Sequence, residues 1–276
     1  MRWVACVLFS LALMPSALAQ DFLRGSEPVG NATFTNWSGF YGGGFAGMSD
    51  SSADFSNATS SIVAYALRET TLEDEFFPSQ WQVLGTADDR ALTYGGFIGY
   101  NTQWQDLILG IEADYNRGNF TLTAPTSPIG RITPTDSNGN TYLVDIVGAG
   151  TLTDLQFGTL RARAGLDLGS FLPYGFAGLA LGHANIAVTA DVAGEVNPPS
   201  SGPCLSTSTP ACSVFAYSGS NSQGELLYGF TVGGGLDFAV TQNIFLRGEL
   251  EYIRFAPIDD ILVTIVSARA GAGIKF

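Results

Sequence analysis

The stretch D-I-L-V-T-I-V-S-A-R-A-G-A-G-I-K-F, Asp260 to Phe276, decides how the rest of the chain is read. At a spacing of two, Leu262, Thr264, Val266, Ala268, Ala270, Ala272, Ile274 and Phe276 form an almost wholly apolar set, while Ser267, Arg269, Gly271, Gly273 and Lys275 fall on the other side. Such alternation belongs to a β-strand with one apolar face. It runs to the last residue, an aromatic on the apolar side, without the polar tail that ends most soluble domains. We therefore expect a strand that is paired and closed at the very end of the chain. The upstream sequence must supply its partners.

At the other end, Arg2, the apolar run Trp3 to Met14 and Ala17-Leu18-Ala19 have the three parts of an export signal, cleaved after residue 19. Cys6 lies inside the apolar run and is not placed for lipid attachment. The remaining chain, beginning at Gln20, has 11 basic against 25 acidic residues, a net charge of −14 that excludes nucleic-acid binding. No stretch supplies the ~20 uninterrupted apolar residues of a membrane-crossing helix. Charged residues make up only 13% of the sequence, against about 25% in an average soluble domain. With 34 glycines and 46% hydrophobic residues, this composition fits a sheet that is apolar outside and rich in small residues inside.

A polar lead-in, residues 20–36, precedes a first strand at Trp37–Met48. A long loop, Ser49–Arg90, carries eight acidic residues against Arg68 and Arg90. Strands are expected next at Ala91–Asn101 and Leu107–Phe120, joined by a tight turn at Trp104-Gln105-Asp106. A second long loop, Thr121–Gly150, leads to strands at Thr151–Leu168 and Phe171–Val188, with Gly169-Ser170 as their turn. A third, to Gln223, holds Cys204 and Cys212, a close pair in an exported chain and so an expected disulfide. The strands Glu225–Val240 and Ile244–Tyr252 follow around Thr241-Gln242-Asn243, and Ala256-Pro257 leads into the terminal strand.

Eight strands with short and long connections in alternation describe an all-β, antiparallel, up-and-down transmembrane barrel over residues 37–276, set in a bacterial outer membrane with its long loops outside and its tight turns in the periplasm. The charges decide between this and a soluble barrel. Period 2 puts Glu112, Asp114, Arg161, Arg163, Arg247, Glu249, Glu251 and Arg269 opposite the apolar sets, whereas an arginine facing lipid at mid-membrane would cost about 2–4 kcal/mol. We expect these eight to form an interior ion-pair network that fills the lumen. A soluble lipocalin-like barrel inverts the pattern, with charge outside.

The segments W-S-G-F-Y-G-G-G from Trp37, G-G-F-I-G-Y-N from Gly95, L-G-I-E-A-D-Y from Leu109, G-T-L-R-A-R-A-G from Gly158 and L-P-Y-G-F-A-G from Leu172, with the terminal aromatic, resemble the small outer-membrane barrels of alphaproteobacteria. That family includes the 25- and 31-kilodalton surface antigens, the RopB type and haemin-binding relatives, and belongs with the OmpA-like barrels. The resemblance spans nearly all the strands and none of the long loops. It implies a porin-like label without catalytic residues, and a terminal Phe276 read by the barrel-assembly machinery.

Other residues carry weaker chemistry. His183, the only histidine, is expected near the outer end of the fifth strand, with no serine close by on its face and no acid to orient it for catalysis. Glu69, Glu73, Asp74, Glu75, Asp88 and Asp89 suit hard cations beside lipopolysaccharide phosphates but lack a calcium-loop spacing. We expect no cofactor, no metal and no enzymatic activity. The expected role is structural and interfacial, in membrane integrity and loop-mediated surface contact, by a monomer whose partners are outer-membrane lipid and lipopolysaccharide, with haem or a host surface as loop ligands. A small-solute porin is the alternative, and a lipid A-modifying enzyme a more distant one.

Overall fold

The computed structural model describes residues 36–198, 204 and 212–276. The expected signal, 1–19, and residues 20–35 of the lead-in lie outside the described residues.

Among the described residues, ten strands form one antiparallel sheet: β1 (Gly39–Asp54), β2 (Thr86–Trp104), β3 (Leu107–Gly118), β4 (Thr121–Thr123), β5 (Ile129–Ile132), β6 (Tyr142–Leu166), β7 (Phe171–Val196), β8 (Ser213–Ala239), β9 (Ile244–Phe255) and β10 (Leu262–Lys275). Pairing runs β3-β2-β1-β10-β9-β8-β7-β6, and β3 also pairs β6, so eight strands close into a ring while β4 and β5 attach to β6 above it. The terminal strand lies between β9 and β1, with Arg269 opposite Glu249 and Gly47. Phe276 donates its backbone N–H to Phe40 O at 2.8 Å, carrying the pairing to the last residue. The turn at Gly169 adopts φ +77°, open to glycine without strain.

Alternation sorts the side chains as period 2 requires. On β10, Val266, Ala268, Ala270, Ala272 and Ile274 are exposed outward, and Ser267, Arg269, Gly273 and Lys275 are buried inward. An apolar outer band continues around the ring through Leu107, Leu109 and Ile111 on β3, Leu179 and Leu181 on β7, and Leu246 and Leu250 on β9. Above it the outer face turns polar at Asp50, Arg90, Arg117, Gln156, His183 and Arg254. From Ile274 to Val266 the band is about as long as the 9–11 residues that a tilted strand uses to cross a bilayer.

Three strands continue far beyond that band: β6, β7 and β8 are 25, 26 and 27 residues long. This corrects the expected loops. Residues 189–196 and 213–223, expected as part of the third long loop, extend the β7–β8 ladder up to Val196 opposite Ser213. The first connection contains α1 (Ser60–Ala66), α2 (Thr71–Phe76) and a 3-10 turn (Pro78–Gln80), where only an acidic loop was expected. Their apolar residues Val63, Leu67 and Leu72 pack on Val144, Ile146, Ala190 and Val192 of the tall sheet. A sheet face that has left the membrane must be covered against water, and these helices cover it.

Candidate functional site

Two places concentrate chemistry: the interior of the ring and the platform above it. In the interior, register creates the contacts. Glu112 on β3 stands opposite Arg161 on β6, Arg247 on β9 opposite Asp237 on β8, and Glu249 on β9 opposite Arg269 on β10. Facing neighbours on one side of an antiparallel pair are close enough to interact, so three ion pairs follow from the ladder alone.

The arginines then reach across the lumen. Arg161 donates to Glu112 Oε1 at 3.0 Å and to Glu249 Oε1 at 2.9 Å. Arg163 donates to Asp237 Oδ2 at 2.8 Å and to Glu112 Oε2 at 3.2 Å. Arg247 bridges Glu112 Oε2 and Asp237 Oδ1, both at 2.8 Å. Arg269 joins Glu249 Oε1 at 2.7 Å to Asp114 Oδ2 at 2.9 Å. Its Nη1 also lies 3.0 Å from Glu251 Oε2, at an angle that makes the contact one of charge and not a hydrogen bond. Thr231 donates to Glu251 Oε1 at 2.8 Å. The side chains of these charged residues are no more than 2% exposed.

Aromatic rings complete the layer. Tyr41 and Tyr174 donate to Glu112 Oε2 and Glu249 Oε2, each at 2.7 Å. Arg163 lies 3.7 Å from the centre of the Tyr174 ring, and Arg161 and Arg247 each 4.1 Å from Phe176 and Phe97. The glycines opposite make the room: a Cβ on Gly99 would stand 2.3 Å from Tyr41 Oη, and one on Gly235 2.7 Å from Tyr174 Oη. Asp237, buried on the inner face of β8, is an ion-pair partner outside the expected set. Its position across a short hairpin from Arg247 was the available signal.

The lumen is not filled by charge alone. Among and below the charged side chains lie Trp37, Tyr41, Phe45, Phe97, Ile108, Leu172, Tyr174, Phe176 and Phe245. Above it, Phe55, Leu84, Phe120, Leu152, Phe157, Leu227, Phe255, Val263 and Ile265 form a continuous apolar cluster. These inward residues of the upper strands are buried against one another, so the inner face changes from charged to apolar along a single strand, as from Arg269 to Ile265 on β10.

These features bear on kinship. The sequence model described as "Outer membrane protein beta-barrel domain" matches residues 5–276. The chain belongs to this family. Over 202 residues it is 26% identical to the 22 kDa outer membrane protein of Rhizobium leguminosarum bv. viciae, covering 69% of this chain and 70% of that one. Among solved structures it is similar to Neisserial surface protein A, at 15% identity and a TM-score of 0.39 over 87% of this chain and 98% of that one. It is also similar to Ail, the attachment invasion locus protein of Yersinia pestis, at 14% identity and a TM-score of 0.31 over 87% and 99%. As a member of the outer membrane beta-barrel family, the protein resides in the bacterial outer membrane.

In this family member, the remaining expected residues lie apart from the interior. His183 is in the middle of β7, not near its end, because the strand runs on to Val196. It faces outward in register with Gln156 and Leu226, at the upper edge of the apolar band. The loop acids are engaged locally: Glu73 accepts from Ser79 N at 3.2 Å, Glu75 Oε2 from Ser137 N at 3.1 Å, and Asp89 from Thr121 N at 2.8 Å. Among the described residues, no three His, Cys, Asp or Glu side chains are grouped to hold a metal. Cys204 and Cys212 form a disulfide at a Cα–Cα distance of 5.5 Å.

On the platform, Asp136 accepts from Asn140 N at 2.7 Å, Tyr142 Oη at 2.8 Å and Asn138 N at 2.9 Å. Burial opposes its ionisation, but these bonds outweigh it and hold the carboxyl below its usual range. Tyr142 is pushed up to about 12, by burial first and then by the bond to Asp136.

Proposed function

We propose that this protein is a sealed, monomeric outer-membrane anchor: it braces the membrane and holds a folded platform at the cell surface for contact with other molecules. The observation that carries the reading is the layering of the lumen, with Arg161, Arg163, Arg247 and Arg269 paired in the middle and apolar clusters above and below. A continuous water path would need that packing to be absent, so small-solute transport fits the interior poorly. Catalysis has no support from His183, which faces outward away from the buried carboxylates. The apolar band supports lipid as a partner, and Arg90, Arg117 and Arg254 above it support the phosphates of lipopolysaccharide as another. The exposed Phe276 is positioned for recognition by the assembly machinery before insertion. The resemblance to the alphaproteobacterial surface antigens and the RopB type agrees with a role at the surface.

The test is complementation of a deletion strain with the full chain and with a form trimmed of residues 60–80. We expect both to restore resistance to detergent, and only the full chain to restore attachment of cells to a host surface. A strain in which deletion changes neither property would overturn the reading.

A further inference from the structure

β9 ends at Phe255, opposite Gly229, while β8 continues upward to Ser213 with β7 as its partner. Among the described residues, no strand pairs with the second edge of β8 between Ser213 and Leu227. Along such an edge alternate residues point their N–H and C=O groups away from the sheet, as a template for another strand. Proteins usually guard such edges with lysine, proline or a bulge. The segment S-V-F-A-Y-S-G-S-N-S-Q-G-E-L-L has no lysine and no proline, and its register with β7 is unbroken.

α1 stands beside this edge. A groove of about 740 Å³ separates Ile62, Tyr65, Arg68 and Glu69 from the β8 segment Tyr217–Asn221. The helix approaches the strand so closely at one end that a Cβ on Gly219 would come within 2.4 Å of Ile62 Cγ2. A strand edge flanked by a helix is a form in which proteins bind extended peptides: the edge supplies main-chain bonds, and the helix contacts alternate side chains.

We infer that this groove receives an extended segment of another protein, added as a strand to β8. The inference rests on the surface-contact reading above and names its site and its class of partner. A peptide main chain matches a row of alternating donors and acceptors, which a lipid or a sugar does not repeat. Ser218, Gly219 and Ser220 are small enough to let that chain approach. Tyr65, 69% exposed, offers an apolar surface to one side chain, with Arg68 held 4.0 Å from its ring. Glu69 lines the groove, Glu225 lies on the strand itself, and Asp259 is tied to it by Asn221 at 3.1 Å. This excess of acid over Arg68 selects a segment with a net positive charge.

The experiment pans random nine-residue peptides displayed on phage against the refolded full chain in lipid nanodiscs. Ser220→Trp, which fills the groove, and Tyr65→Ala serve as counter-targets. We expect enriched peptides to be basic, with apolar residues at alternate positions, and to bind at least tenfold more weakly after N-methylation of alternate amides. Hydrogen exchange at 217–221 should slow on binding. Failure to enrich any peptide, binding indifferent to N-methylation, slowed exchange elsewhere, or association of two copies through β8 would overturn the inference. Labelling of Ser218→Cys on intact cells with a membrane-impermeant maleimide separates the two levels. Labelled cells without peptide binding sink the inference alone, and unlabelled cells sink the surface-contact reading beneath it.

Discussion

Glu112 and Arg161 face each other across the β3–β6 seam, where the ring closes past the short strands β4 and β5, with Arg161 Nε 3.0 Å from Glu112 Oε1. Arg161 also holds Glu249 from the far side of the lumen at 2.9 Å. One guanidinium thus ties the seam to the opposite wall, and its removal takes a cation from two buried carboxylates, leaving Glu112 to Arg163 and Arg247 and Glu249 to Arg269.

Arg161→Ala is therefore expected to destabilise the folded barrel by about 3–5 kcal/mol, the usual cost of removing one partner from a buried ion pair. Glu112→Leu combined with Arg161→Met should recover part of that loss, because one charge of each sign leaves the layer while Arg163 and Arg247 keep Asp237. Urea unfolding of protein refolded into lipid vesicles measures both. A single-variant loss below about 1 kcal/mol would show that the pair is not buried as described.

The upper apolar cluster makes a separate prediction. Phe255 is 1% exposed and points inward above the membrane band. Phe255→Ala should cost about 3–5 kcal/mol, as for large-to-small changes in a packed core. The same unfolding assay reads it. A negligible loss would mean that the upper lumen is wet and loosely filled.

Depth along the outer wall is open to substitution. Leu250 lies outward near the middle of the apolar band, and His183 lies at its upper edge. Leu250→Arg should cost about 2–4 kcal/mol and His183→Arg about 0–1. Equal costs at the two sites would misplace the membrane.

The platform should respond to pH at both extremes. Tyr142 has a raised folded value, so its contribution is complete below its ordinary value of 10.0 and is lost as pH climbs towards about 12. Asp136 has a lowered value, so its contribution is present above its ordinary 3.8 and is lost as pH falls below that. Hydrogen exchange of the β5–β6 amides should speed up in both windows, and Tyr142→Phe should abolish the alkaline one. An unchanged alkaline response in that variant would reject the assignment.

The membrane-facing half of the fold was legible because lipid imposes a strict rule. Every outward position from Leu107 to Tyr115 or from Ile244 to Leu250 is apolar or small, and period 2 exposes the pattern directly. Beyond the membrane the rule lapses. The upper part of β8, with neither face consistently buried, offers no alternation, and its serines and glycines read as loop until β7 provides a template. The helices were legible in part: Thr70-Thr71-Leu72-Glu73 has the spacing of a capping box, and Thr70 does accept from Glu73 N at 3.3 Å. An acid-rich surrounding masked that signal. The apolar upper lumen was hidden for another reason. Val263 and Ile265 sit among residues apolar on both faces, and periodicity cannot tell which side is packed by loops from the far end of the chain.

Ion conductance across planar bilayers tests the central claim most directly, that pairing and packing close the lumen. Refolded wild-type protein is predicted to give no stable openings at any applied voltage that the bilayer withstands. Sustained, uniform conductance steps from the wild-type protein would contradict the sealed interior and restore the porin.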